Sequence, residues 1–338
     1  MAAPTTAEAF DEFDAALNLD PRERQQAQRR HQEITEVLIA AGIAMSTFLQ
    51  GSFARKTMPK PLKDVDIVIV LAAALRPLWW VARRNGPAKA MAAIRAVVAD
   101  RWPEARFDVD GRPAHALQVV FPDISFTFDL VPAFDDENAS EDVLIADRDR
   151  DRWERSNTRA LRRIITERNL ATAGVFVHQV RMGKAFKANQ PILAKLCGLV
   201  IESLWYAAIT RKTPHPKAMI IALENAATAV LGPVLDPTGV DNLAAEWTPG
   251  ERHAYSAAFA TAARRGREAL ALSADGEHQA AMEIWHGLFG EPFPQPEPQM
   301  AAQALSALSG GSITSTGRAV TSQRGAQTNR PARSWRTR

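Results

Sequence analysis

Asp64 and Asp66 stand two residues apart at the head of an apolar run, DVDIVIVL, and Asp129 stands inside another, FTFDLV. On a strand, residues i and i+2 share a face, about 7 Å apart at a rise of about 3.3 Å per residue. Asp64 and Asp66 would converge while Val65 points into the core. Neighbouring buried carboxylates repel and are costly to desolvate. Divalent cations remove both problems, and Mg²⁺ prefers oxygen ligands and substrate phosphates. Asp129, on a neighbouring strand, would complete a set able to hold two ions. One would activate an attacking hydroxyl and the other would stabilise leaving pyrophosphate.

Upstream, Gly51-Ser52 suits phosphate binding, because glycine lets the backbone approach closely and serine adds a hydroxyl donor. Arg55, Lys56, Lys60 and Lys63 can neutralise a triphosphate. A bare D-x-D reads equally well as surface charge at a strand start. The specificity lies in the combination of Gly-Ser, basic loop, D-x-D, apolar strand and a later strand aspartate. Asp108 and Asp110 repeat the spacing, but DVDGRP reads as a strand running into a turn.

The elements that must position these residues follow from periodicity and punctuation. Residues 8–17 and 21–41 read as helices, the second with proline at its first position and Gly42 as its stop. Residues 44–49 suit a short strand or turn. The β-branched run over 65–71 predicts a strand buried on both faces. A helix over 88–102 is followed by strands over 106–110, 116–121 and 124–131. In the last of these Ser125, Thr127, Asp129 and Val131 share one face. After Pro132 the pattern turns helical, with candidates at 158–169, 175–189, 193–210, 217–231, 249–272 and 276–288. The chain is therefore α+β, a mixed first half joined to an all-helical second half. Three regions are expected: 1–155, 156–291 and a Pro/Gly/Ser/Arg-rich, largely disordered tail over 292–338, with a short helix at 300–308.

Composition narrows the partners. Hydrophobic residues make up 46% and charged residues 23% of the 338, an ordinary globular mix. One cysteine, Cys197, excludes a disulfide framework and a Cys-based zinc site. No signal peptide or membrane span is read, so a cytoplasmic setting is expected and no membrane partner. The formal charge of +3 hides an asymmetry: six arginines and no acid fall in 310–338, leaving the body at −3. No stable nucleic-acid partner is expected from such a body.

The D-x-D, the distant aspartate and the Gly-Ser resemble the polymerase-β-like nucleotidyltransferase superfamily. More narrowly the chain resembles the CD-NTases, bacterial relatives of cyclic GMP-AMP synthase in CBASS antiphage defence. The similarity rests on LQGSFARKT…PLKDVDIVIVL, FDLVPAF, WERSNT, VRMGKAFK, GLVIESLW, LDPTGVDNLA and LFGEPFP, in order over most of residues 40–295. It implies a mixed-sheet core and a helical-bundle domain, bilobed, with the active site in the cleft. It implies that Asp64, Asp66 and Asp129 hold two Mg²⁺ ions, with Mn²⁺ able to substitute, and that Gly51 and Ser52 hold the triphosphate. Lys184 falls where relatives place a triphosphate-binding lysine, Arg181 sits one turn before it, and Asn157 borders the base pocket. Gly198 stands where many relatives carry serine, so one phosphate contact is in doubt. The implied activity converts nucleoside triphosphates, ATP among them, into a cyclic di- or trinucleotide second messenger read by a separate effector protein. The resemblance also leaves room for a regulatory partner.

Other readings stay open. The same metal chemistry serves an RNA or tRNA 3′ end, a small molecule or a protein as acceptor, and a catalytically inactive scaffold would keep the fold alone. Asn157 is equally a helix N-cap, and Trp153 and Phe134 suit core packing better than base stacking. Glu202, inside a hydrophobic helix, reads as structural and paired with a nearby base. His178 and His215 lack metal-ligand spacing.

Overall fold

The computed structural model describes residues 4–80, 84–109, 111–137 and 141–295. Asp110, the 300–308 helix and the tail from 296 onward lie outside the described residues. The first half contributes helices α1 (Thr6–Ala16), α2 (Pro21–Ala40), a single turn α3 (Gly51–Ala54), α4 (Arg76–Trp79) and α5 (Gly86–Arg101). It also contributes seven strands: β1 (Ala44–Leu49), β2 (Asp64–Leu71), β3 (Arg106–Phe107), β4 (Leu117–Val120), β5 (Thr127–Asp135), β6 (Val143–Asp147) and β7 (Arg152–Ser156). Helices α6 (Thr158–Ala171), α7 (Phe176–Ala188), α8 (Gly198–Ala208), α9 (His215–Ala229), α10 (Pro249–Ala274) and α11 (His278–Phe289) follow. No helix among the described residues is long and apolar enough to cross a membrane.

The strands form one mixed sheet in the order β1-β2-β5-β4-β3, with β6 on β5 and β7 on β6. Only β2 and β5 run parallel; the other pairs are antiparallel. One sheet face carries Val65, Ile67, Ile69, Leu71, Phe128 and Leu130 against Ile34 and Leu38 of α2 and Ile94 and Val98 of α5. The other carries a small apolar layer of Val68, Val70, Val131 and Ala133, and Asp64, Asp66 and Asp129 continue that face. Ile67 through Leu71 are all buried, as an uninterrupted apolar run requires.

Three expectations needed correction. The helical reading after Pro132 misses the β6–β7 hairpin, whose strands are only five residues each, the second of them rich in charge. The last strand of the first half begins later and runs on through Pro132 to Asp135, because β6 gives its end a partner. Among the described residues of 106–109, Arg106 and Phe107 pair with β4, and the Asp108 amide adds one hydrogen bond to the Gln118 carbonyl.

The helical half has its own core, and α1 belongs to it. Phe10 and Phe13 pack edge-on and tilted against Trp285, Phe289 and Phe293. The expected regions 1–155 and 156–291 are thus crossed by packing at both ends. A glycine sets one close approach here. A Cβ on Gly183 of α7 would lie 2.6 Å from Trp205 Cε2, and Trp205 of α8 is fully buried. Gly183→Ala should overpack this contact and lower stability by about 1–3 kcal/mol, read as a shifted denaturant midpoint at unchanged slope. An unshifted midpoint would show that α7 and α8 slide apart at no cost.

Candidate active site

The carboxylates meet because β2 and β5 run parallel in one register. Asp66 pairs with Asp129 across the ladder and Asp64 pairs with Thr127, so all three aspartates project from one face. Nothing neutralises them from within the cluster. Asp129 Oδ1 is buried without a hydrogen-bond partner. Burial, then repulsion from Asp64 and Asp129, pushes Asp66 up to about 7. Burial and repulsion from Asp64 and Asp108 push Asp129 up to about 6. Asp64 is also raised, by burial, with Lys63 and Lys184 opposing. An orphaned carboxylate oxygen and three carboxylates held above their ordinary range are what cation ligands look like without their cations. The donor set therefore fits Mg²⁺ or Mn²⁺.

Gly51 is required twice over. Its φ of +68° is open to glycine at no steric cost, and a Cβ there would stand 1.7 Å from Asp66 Oδ2. The turn that begins at Gly51 thus lies against the central carboxylate. It is tied to β2 by the Gln50 amide, which donates to the Asp66 carbonyl at 3.0 Å.

Beside Asp64 opens a cavity of about 620 Å³. Its wall includes Ser52, Lys60, Lys63, Lys184, Lys187 and Gly198; Asp64 lines it, whereas Asp66 and Asp129 do not. Four lysines at one end of a carboxylate cluster suit an anion that also needs cations, as a polyphosphate does. A Cβ at Gly198 would sit 3.4 Å from Lys184 Cε, so a serine there would be in van der Waals contact with this lysine.

Lys184 is not loose. Its Nζ donates to Glu202 Oε1 at 2.7 Å and to Thr57 Oγ1 at 3.3 Å. Arg55 Nε donates to Glu202 Oε2 at 2.7 Å, its Nη2 to Oε1 at 3.2 Å, and the Thr57 hydroxyl to Oε1 at 2.8 Å. Arg55, read from sequence as a triphosphate ligand, is instead buried on Glu202. The structural reading of Glu202 stands, with two bases as partners rather than one. Burial works to raise Glu202, but Lys184 and Arg55 overcome it and bring it down to about 2. This network joins the segment after α3 to α7 and α8, fixing the lysine wall against the carboxylates.

Two further sequence candidates lie elsewhere. Arg181 is buried against α1, its Nη2 2.7 Å from His178 Nδ1 and 3.7 Å from Asp14 Oδ1. His178 and His215 belong to that same tether. Asn157 occupies the N-cap position of α6, yet its side chain makes no cap bond and donates to Thr238 Oγ1 at 2.6 Å. Trp153 and Phe134 are buried and packed on each other, 4.7 Å between ring centroids. Sequence reasoning passed over Thr57 and Lys187. Lys187 had a usable signal, since it follows Lys184 by three residues on one helix face. Thr57 had none, because its role comes from a contact 145 residues away.

The mixed sheet, the paired carboxylates and the phosphate-suited cavity define a nucleotidyltransferase of the polymerase-β-like fold. Residues 5–169 match the Second Messenger Oligonucleotide or Dinucleotide Synthetase domain family. That match, together with the shared fold, supports the resemblance to the CD-NTases drawn from the sequence. Among solved structures, it is similar to Escherichia coli MS115-1 CdnC in complex with HORMA-deltaN, with TM-score 0.67, 14% identity and coverage of 85% of this chain and 98% of that one. It is equally similar to Bradyrhizobium diazoefficiens CdnG in complex with GTP, with TM-score 0.67, 14% identity and coverage of 89% and 99%. For Vibrio cholerae DncV with ATP, GTP and 5MTHFGLU2, the TM-score is 0.60, at 14% identity and coverage of 86% and 88%. No curated protein matches the chain in sequence.

Two measurements test the electrostatics. Glu202→Gln leaves Arg55 and Lys184 buried without a countercharge and should cost about 3–5 kcal/mol at neutral pH. Because Glu202 is depressed, its stabilisation is present above its ordinary 4.5 and is lost as pH falls toward about 2, so the wild-type advantage should shrink there. The aspartates have the opposite sign. Raised to about 7, Asp66 favours the fold most below its ordinary 3.8, and that contribution fades as pH rises through about 7. Cation binding should therefore release protons and tighten between pH 6 and 8. Calorimetry in buffers of different ionisation enthalpy would read this, and a pH-independent affinity would contradict it.

Proposed function

We propose that this chain is a Mg²⁺-dependent synthase that joins nucleoside triphosphates into a cyclic di- or trinucleotide, releasing pyrophosphate at each step. The observation that carries this reading is the three-carboxylate face of β2 and β5 directly beside a lysine-lined cavity. Divalent cations bound to Asp64, Asp66 and Asp129 would supply Lewis-acid stabilisation of the polyphosphate and acidify the acceptor hydroxyl. Ser52, Lys60, Lys63 and Lys187 would bind the phosphates, with Lys184 held ready by Glu202. Asp129, with one oxygen unpartnered, would accept a hydrogen bond from the acceptor hydroxyl and orient it for in-line attack. Catalysis would come from positioning and from charges fixed before the substrate arrives.

The relatives' ligands support nucleotides as substrates: DncV was solved with ATP and GTP, CdnG with GTP and a CdnC with ATP. CdnC was also solved with HORMA-deltaN, and we extend to this chain the idea of a regulatory protein partner. The product would act as a second messenger on an effector protein in antiphage defence.

Incubation with labelled ATP, GTP, CTP and UTP plus Mg²⁺ or Mn²⁺, then phosphatase, tests the proposal directly. A phosphatase-resistant product should appear and fall by at least about a hundredfold in Asp64→Asn/Asp66→Asn. Persistence of product in that variant, or only linear phosphatase-sensitive products, would sink it.

A further inference from the structure

We propose that His115, Asp147 and Glu154 form a second divalent-cation site, built for a transition metal such as Zn²⁺ and separate from Asp64, Asp66 and Asp129. One ligand atom from each residue lies within 4.8 Å of one from each of the others, and among the described residues this is the cluster that meets that criterion. The hairpin register explains the carboxylate pair. Ile145 pairs with Glu154, so Asp147, two residues further along β6, is the diagonal neighbour of Glu154 on the same face. His115 precedes β4, and its segment is held beside the end of β6 by the Arg148 amide donating to the Ala114 carbonyl at 2.9 Å.

Each of the three side chains has one polar atom held by the protein and one left over. His115 Nδ1 lies 3.0 Å from the Ala146 carbonyl, so it carries the proton and donates, and Nε2 keeps its lone pair. A backbone carbonyl fixing one ring nitrogen is how a metal-ligating histidine is usually oriented. Asp147 is 2% exposed. Its Oδ1 accepts from the Asp149 and Arg150 amides, both at 3.0 Å, whereas Oδ2 lies 3.7 Å from Arg150 Nη1. Glu154 accepts from Arg150 and Arg152 on Oε1 alone, leaving Oε2. An imidazole lone pair beside two carboxylates, each with one oxygen outside the hydrogen bonds named above, is a half-made coordination shell.

The donor set chooses the metal. One nitrogen and two oxygens suit Zn²⁺ and its first-row neighbours, and imidazole is a poor ligand for Mg²⁺. Bonds of about 2.0–2.2 Å require the three residues to draw together slightly. Glu154, half-buried on the edge strand β7, would make that movement by loosening its bonds to Arg150 and Arg152. Arg150 is the competitor: its side chain is 64% exposed and sits against both carboxylates, so a cation would displace it into solvent. The bound ion would clip the β6–β7 hairpin to the segment leading into β4.

The test is calorimetric titration of Zn²⁺ into the untagged, chelator-treated full chain in excess Mg²⁺, repeated in Asp64→Asn/Asp66→Asn. One Zn²⁺ per chain should bind with the same affinity in both. Affinity should fall about tenfold or more in His115→Gln and in Glu154→Gln, and rise in Arg150→Ala. Circular dichroism of each metal-free variant would show whether its fold survives, and X-ray absorption of the loaded chain should show a histidine nitrogen. The idea is overturned by no saturable binding, by binding lost with Asp64 and Asp66, by an all-oxygen shell, or by unchanged affinity in both His115→Gln and Glu154→Gln. Failure here leaves the synthase reading untouched, since that reading is tested by its products.

Discussion

Repulsion among Asp64, Asp66 and Asp129 is the constraint around which the molecule is arranged. Three carboxylates brought together at the edge of a sheet core cost free energy in proportion to how well they are buried and how rigidly they are held. Rigidity comes from the parallel β2–β5 ladder, buried on its far face by α2 and α5. It leaves the aspartates no freedom to separate. The stored repulsion favours a cation, and an anion carrying its own cations, which a nucleoside triphosphate does.

The neighbouring positive charges are managed by the same logic. Lys184 and Arg55 would repel each other if buried alone, and Glu202 between them removes that cost. The network satisfies the Thr57 hydroxyl as well, so it is nearly complete in hydrogen bonds. Its position spans the sheet and the helices, so the cavity wall and the carboxylate face are set by one shared contact. A helical half packed around Trp205, Trp285 and Phe289, with α1 in the same core, gives that contact a stiff base.

The β6–β7 hairpin shows a different use of charge. Strand β6 is mostly apolar, with Val143 and Ala146 buried, as is Trp153 of β7, and ion pairs from Arg150, Arg152 and Arg155 lace the hairpin. A two-stranded hairpin is marginal by itself, so a polar clip at its base would add to what the burial of Val143, Ala146 and Trp153 supplies. The hairpin escaped a reading based on hydrophobic period because its strands are only five residues each.

What the sequence determined by itself was whatever depends on neighbours along the chain. The β-branched run after Asp66 specified a buried strand, the i, i+2 spacing put Asp64 and Asp66 on one face, and Pro21, Pro249 and the later helical periods marked the helices. The Gly-Ser and D-x-D combination pointed to phosphate and cation chemistry. Tertiary structure alone decided what depends on residues far apart. It set the parallel register that delivers Asp129 to Asp66, and it turned Arg55 away from solvent to Glu202, 147 positions later. It sent Arg181 toward α1 and Asn157 toward Thr238, and joined His115 to Asp147 and Glu154. The physical reason is common to all of these. A side chain's type fixes what it can bond, while its partner is chosen by packing, and packing is not written in any local window of the chain.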